Sequence, residues 1–315
     1  MNHNVKIIPI VTGISIASVH LINRLLYSIS TAKDILRDKD DCYYEWRFGT
    51  IRYTKKGYGT PVLLVHDLTV GSSGYEFHKI VNRLSRHYEV YTIDLLGYGL
   101  SDKPNMTYTA YLYIQLLTDF VKTVIGKKTD IIVSGDSSSI AIVACHNNPE
   151  AFNRLILINP QSLYQLNLIP SKRTKSLKFL IDLPVLGTFF YNIITSKQSF
   201  CNLFRKYFYA DYEKLRNRDI AAYVEASHQN DHQSRYSFSS YVGRYMNFNI
   251  LHALKEINHS IFVIAGNEKK DNKSIVENYF YYNSSIETAY VAETKQYPHM
   301  ENPVVFLNQL AVFLP

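Results

Sequence analysis

Asp130-Ile131-Ile132-Val133-Ser134-Gly135-Asp136-Ser137-Ser138-Ser139 is a short apolar run that breaks into a turn of small residues. Such a run suits a strand buried on both faces of a parallel sheet. Residues 139–147, SIAIVACHN, follow as a helix, so the segment reads strand, turn, helix. A nucleophile on a turn of this kind sits at a sharp, strained bend and needs small residues two positions before and after it. Gly135 and Ser139 meet that condition around Ser137. The Ser137 hydroxyl is then expected above the carboxyl ends of the strands, where open α/β sheets place their sites. Ser138 offers a backbone N–H near the helix N-terminus, suited to hold an oxyanion. The plain alternative is a Gly/Ser-rich connection with no chemistry.

Outward from this segment the same alternation continues. PVLLVHD (61–67), VYTIDLLG (90–97) and RLILINP (154–160) read as buried strands, and residues 76–87 and 108–125 carry apolar side chains at helical spacing. Upstream, YYEWRFGTIRYTKKG reads as a hairpin broken at Gly49. The alternation fails over residues 161–256, which are helical and rich in Tyr and Phe, and returns at SIFVIAGN (260–267) and ETAYVAE (287–293) before a terminal helix. The fold class expected is α/β, a mainly parallel sheet flanked by helices. Residues 43–160 and 257–315 form its core and 161–256 a helical lid.

Four stretches, Asp94 to Pro104, His66-Asp67, Ser134 to Ser139 and Pro298 to Pro303, together resemble the lidded branch of the alpha/beta-hydrolase superfamily, which includes esterases, lipases, epoxide hydrolases and dehalogenases. Asp94-Leu95-Leu96-Gly97-Tyr98-Gly99-Leu100-Ser101-Asp102-Lys103-Pro104 looks like its D-x-x-G-x-G-x-S-D-x-P turn, and His66-Asp67 like the His-Gly opening of its oxyanion loop, with Asp for Gly. Ser134 to Ser139 is similar to its nucleophile elbow, with Ser139 for the usual Gly, and Pro298-His299-Met300-Glu301-Asn302-Pro303 to the tail after its catalytic histidine. The resemblance implies an alpha/beta-hydrolase fold and a serine hydrolase cleaving an ester or amide of an apolar acyl group. Ser137 would attack, His299 would act as base, Asp271 or Glu268 would orient it, and the amides of Leu68 and Ser138 would hold the oxyanion. His66 would be structural and Asp136 a helix cap.

Two positions depart from the family pattern. Aligned on Glu301-Asn302-Pro303, Gln296 falls where the catalytic histidine belongs, and glutamine cannot accept and return a proton near neutral pH. Lys269 stands where the acid is placed, between Glu268 and Asp271. A second reading follows: a catalytically impaired member of the fold that binds a ligand or partner.

Residues 7–22, IIPIVTGISIASVHLI, carry no charge. Extended to residue 29 they reach the length of a spanning helix, so 1–29 is expected to be a membrane anchor, with a cleaved signal peptide or a soluble helix as alternatives. Arg24, Lys33, Arg37 and Lys39 follow the run against Lys6 before it, which puts the body on the cytoplasmic side. Residues 30–42 read as a polar tether. With 46% hydrophobic and 19% charged residues, disorder is excluded. The net charge of +7 comes without a nucleic-acid motif, so no nucleic-acid partner is expected. Three cysteines cannot build a disulfide framework, and no cofactor or metal is expected. His228 and His232 have i, i+4 metal spacing but no evident third ligand. Lys172, Arg173, Lys175 and Lys178 read as a solvated or membrane-facing edge of the lid.

Overall fold

A computed structural model describes residue 18 and residues 20–314. Eight strands form one sheet in the order β1-β2-β4-β3-β5-β6-β7-β8. They are β1 (Asp41–Trp46), β2 (Gly49–Lys56), β3 (Thr60–Val65), β4 (Tyr88–Ile93), β5 (Thr129–Ser134), β6 (Phe152–Ile158), β7 (Ile261–Gly266) and β8 (Glu287–Val291). The hairpin β1–β2 is antiparallel and joins β4 in the same sense; every other pairing is parallel.

The alternation of side chains across the pleat divides the core in two. Leu63, Val65, Ile131, Val133, Leu155, Leu157 and Val263 pack on one face, against α3 (Ala110–Phe120), α4 (Ser137–Asn147), α11 (Leu251–Glu256) and α12 (Asn272–Tyr282). Val62, Leu64, Ile132, Ile156, Ile158 and Ile264 pack on the other, against α2 (Val81–Leu84) and α14 (Pro303–Phe313). The unbroken apolar runs of β3, β5 and β7 are thus the cost of covering both faces at once. The segment expected as a helix over 76–87 is instead a tight turn at Gly74–Phe77 followed by the single turn of α2.

Between β6 and β7 the chain leaves the sheet for α5 (Leu163–Leu166), α6 (Lys172–Asp182), α7 (Leu186–Ile194), α8 (Lys197–Leu203), α9 (Asn217–His232), α10 (Arg235–Val242) and α11. Of these, α8, α9 and α10 meet the loops at the carboxyl ends of the central strands, with Gly71 against Phe200, Tyr223 and Ser227 and Gly97 against Ser237, whereas α11 packs on the sheet face. The loop before α14 carries α13 (Pro298–Glu301). The Asp94 turn is structural: its carboxylate accepts from Gly74 N (2.6 Å) and Leu100 N (2.8 Å) and lies 3.6 Å from Arg52 Nη1.

At the N-terminal end, residues 20–31 form α1. The stretch expected as a free tether is held down. Glu225 of α9 accepts from Ile35 N (2.9 Å) and Leu36 N (3.2 Å), and Leu36 is buried beside Ala222 and Ala226. Among the described residues no single helix is long and apolar enough to cross a membrane. Most of the uncharged run at 7–22, and so most of the expected anchor, lies outside the described residues.

Candidate active site

β5 ends at Ser134 and α4 begins at Ser137, so the elbow has two residues. Gly135 takes the left-handed conformation, φ +55°, and Asp136 is already helical, with φ −67° and ψ −23°. The apex is therefore Gly135, not Ser137. A glycine enters that region without steric cost, so the bend falls on it, two residues ahead of the expected position. Ser137 lies in the first helical turn, fully buried, with its hydroxyl donating to His66 O at 2.6 Å. Its expected place at the bend is corrected by this geometry. Ser138 N is likewise spent on Gly135 O at 3.1 Å and is not an oxyanion donor.

On an elbow of this kind the oxyanion donors are the N–H following the apex and an N–H from the loop after β3. Here those are Asp136 N and Leu68 N. Both donate to one atom, Asp67 Oδ1, at 2.9 and 2.7 Å. The Asp67 carboxylate also fills the space that a side chain at the apex would use: a Cβ built on Gly135 would stand 2.2 Å from it. One carboxylate thus occupies both the nucleophile's position and the oxyanion's. Leu68 N, the donor expected for an oxyanion, is held by Asp67, the residue standing in place of the usual glycine.

Asp67 Oδ2 faces Tyr297 Oη at 3.2 Å and Gln296 Nε2 at 3.5 Å. Gln296 Oε1 accepts from Lys269 Nζ at 2.7 Å. Lys269, Gln296 and Asp67 form a line of contacts toward the apex along the path that an acid and a histidine take in a triad. The order is reversed, with a basic side chain at the outer end and an acidic one at the inner. The amide between them donates and accepts in fixed directions and takes up no proton. Burial raises the Asp67 pKa well above the ordinary carboxylate value, and the carboxylates of Asp136 and Glu76 add to it. Burial lowers the Lys269 pKa, while Asp67, Asp136 and Asp271 oppose that shift.

His299 does not reach this line. It is fully buried on α13, its Nε2 3.0 Å from Glu76 Oε1 and its ring stacked on Phe77 at 5.2 Å. Glu76 Oε2 in turn accepts Asp67 N at 3.1 Å, so the histidine braces the back of the loop and does not face the elbow. Glu268 and Asp271 are exposed, Asp271 preceding the first residue of α12, and neither is joined to His299. The expected Ser137–His299–carboxylate triad is not assembled. The imidazole of His66 accepts Leu95 N at Nε2 (3.0 Å), which leaves Nδ1 to donate to Asp67 O (2.6 Å). Burial lowers its pKa, so it is a neutral brace.

The gap between this loop and the lid is nearly closed. Val70, Tyr98, Tyr191 and Phe238 bound a space of about 10 Å³, room for one water. His228 bonds Val224 O through Nδ1 at 2.7 Å, and the side chain of His232 lies outside the described residues. His146, His252 and Glu256 have ligand-type atoms within 4.8 Å of one another, at the far end of α4 from the elbow. They take no part in the site.

The family model described as "Alpha/beta hydrolase family" matches residues 62–309. A 2-hydroxy-6-oxo-6-(2'-aminophenyl)hexa-2,4-dienoic acid hydrolase of Metapseudomonas resinovorans is 32% identical over 116 residues, 36% of this chain and 39% of that protein. The chain therefore aligns with well under half the length of that relative. Among solved structures, a meta-cleavage product hydrolase from Pseudomonas fluorescens IP01 superposes with a TM-score of 0.69 at 17% identity, over 87% of this chain and 97% of that one. A carboxylesterase from Bacillus subtilis superposes with a TM-score of 0.66 at 15% identity, over 94% and 98%. At these identities the structural likeness shows the fold; the relatives themselves are hydrolases.

Proposed function

The chain belongs to the alpha/beta hydrolase family, and we propose that within it this protein is a membrane-held binding module that has given up Ser–His–acid hydrolysis. One observation carries the reading: the two amides that would stabilise an oxyanion are both taken by the chain's own Asp67. An acyl-transfer intermediate needs those donors free, and removing even one such donor costs about a hundredfold or more in rate. Gly135, Gln296 and Lys269 support the same conclusion, since none of them can serve as nucleophile, base or orienting acid. The uncharged N-terminal run supports attachment to a membrane, and the positive residues after it a cytoplasmic body.

The test is labelling of the full-length protein with a fluorophosphonate. No labelling is expected, in the native chain or in Ser137→Ala. Labelling that disappears in Ser137→Ala overturns the reading. The family and the hydrolase relatives favour a second reading, in which the chain still cleaves an ester at this elbow. Ester turnover that survives Ser137→Ala and is lost in Asp67→Asn supports it.

A further inference from the structure

We propose that α1, α6 and α7 form one lipid-facing surface, so that the lid itself rests in the interface of an anionic bilayer. This deepens the membrane half of the reading above and rests on it.

Amphipathic helices of a soluble protein turn their apolar stripe inward; here the stripe turns outward. On α7, Leu186, Phe189, Phe190, Ile193 and Ile194 are all exposed at i, i+3, i+4, i+7 and i+8. The inward face of the same helix is Gly187, Thr188, Tyr191 and Asn192. α1 repeats the inversion: Leu21, Ile22, Leu25, Leu26 and Ile29 are 38–70% exposed, whereas Asn23 is buried. α6 adds Leu177, Phe179 and Leu180. The axes of α6 and α7 meet at a 101° bend, and neither helix alone is long and apolar enough to cross a membrane; a blunt corner of this kind is shaped to insert shallowly.

The elements adjoin. Asn192 Nδ2 of α7 donates to Asn23 Oδ1 of α1 at 2.7 Å, a buried polar bond that docks α1 on the lid. Thirteen exposed large apolar side chains on neighbouring helices far exceed the isolated ones that a soluble surface carries.

Charge decides the occupant. Over residues 161–210 there are seven basic side chains and one acidic one, Asp182, which is paired with Lys178. Lys172, Arg173, Lys175 and Lys197 stand exposed at the ends of α6 and α8, and Arg24 and Lys33 flank α1. A second copy of the same surface would bring like charges together around the apolar centre. Anionic headgroups complement them, and the long side chains reach the phosphate level while their helices lie lower. In the sequence, the uncharged residues 7–17 lie just before α1.

The test uses the full chain on vesicles of phosphatidylcholine with phosphatidylserine, some acyl chains brominated. Phe179→Trp and Phe190→Trp place reporters on the face; Tyr58→Trp, 89% exposed on the β2–β3 turn, serves as control. The two lid reporters are expected to shift blue and lose at least half their emission to the brominated chains, with the control unchanged. Protein that floats with the vesicles while both lid reporters stay unquenched overturns this proposal and leaves the N-terminal attachment standing. Failure to float overturns both. A blue shift that arises without vesicles, together with dimerisation in solution, overturns it in favour of a second copy.

Discussion

Gly135 and Asp67 are two halves of one substitution. A side chain at the apex and a carboxylate in the loop after β3 cannot share the same space. Gly135→Ala is expected to destabilise the fold by about 2–4 kcal/mol, from the left-handed backbone and from overpacking against the carboxylate. In an Asp67→Gly background the same change is expected to cost only about 1 kcal/mol, the backbone part alone. Urea denaturation of the four proteins in this cycle measures the coupling. Equal costs in both backgrounds would show that the Asp67 side chain does not fill the apex. The sequence carried the signs of this arrangement without ranking them. Gln296, Lys269 and the Asp at position 67 each stand out singly. A run of three serines beside a glycine, however, offers a false register, because small residues satisfy the elbow's steric rule at Ser137 as well as at the true apex. Only the sign of φ at Gly135 separates the two.

At the level of elements, the strands were readable because burial on both faces leaves uninterrupted apolar runs, as in β5 and β7. The weaker readings were those in which a polar stretch is held by partners distant in sequence, such as residues 35 and 36 on α9. The β1–β2 hairpin is held by such a partner too. Arg52, with a side chain only 5% exposed, bonds Asp41 of β1 through Nε at 2.8 Å, lies near Asp94 and reaches Leu36 O. Arg52→Ala leaves the buried Asp94 and the half-buried Asp41 without their counter-ion and is expected to cost about 3–5 kcal/mol. Its effect should exceed that of Arg47→Ala on the exposed Asp119 pair, expected within about 1 kcal/mol. Comparable losses for the two would remove the buried pair from its place in the hairpin.

Taken as a whole molecule, the protein stores buried carboxyl groups that leave a mark on its pH dependence. Burial lifts the Glu301 pKa to about 7, although Lys295 N and Ala210 N each donate to it at 2.6 Å. Between its ordinary value near 4.5 and about 7, the folded state holds this proton and the unfolded state has lost it. The folded state then binds more protons, so stability falls as pH rises through that window. Glu301→Gln removes the titration, and its melting temperature should fall less between pH 5 and 7.5 than that of the native chain. An equally steep decline in both would place the responsible proton elsewhere. Asp67 shifts in the same direction and adds to the slope that remains.

The Glu225 clasp on residues 35 and 36 has a mechanical consequence. Since α9 grips the stem that leads down to α1, it cannot swing away from the strands without hauling that stem along or snapping two charge-assisted bonds first. Displacement of α9 and displacement of residues 35 and 36 are therefore one motion, and a shift of α1 would be felt above the elbow.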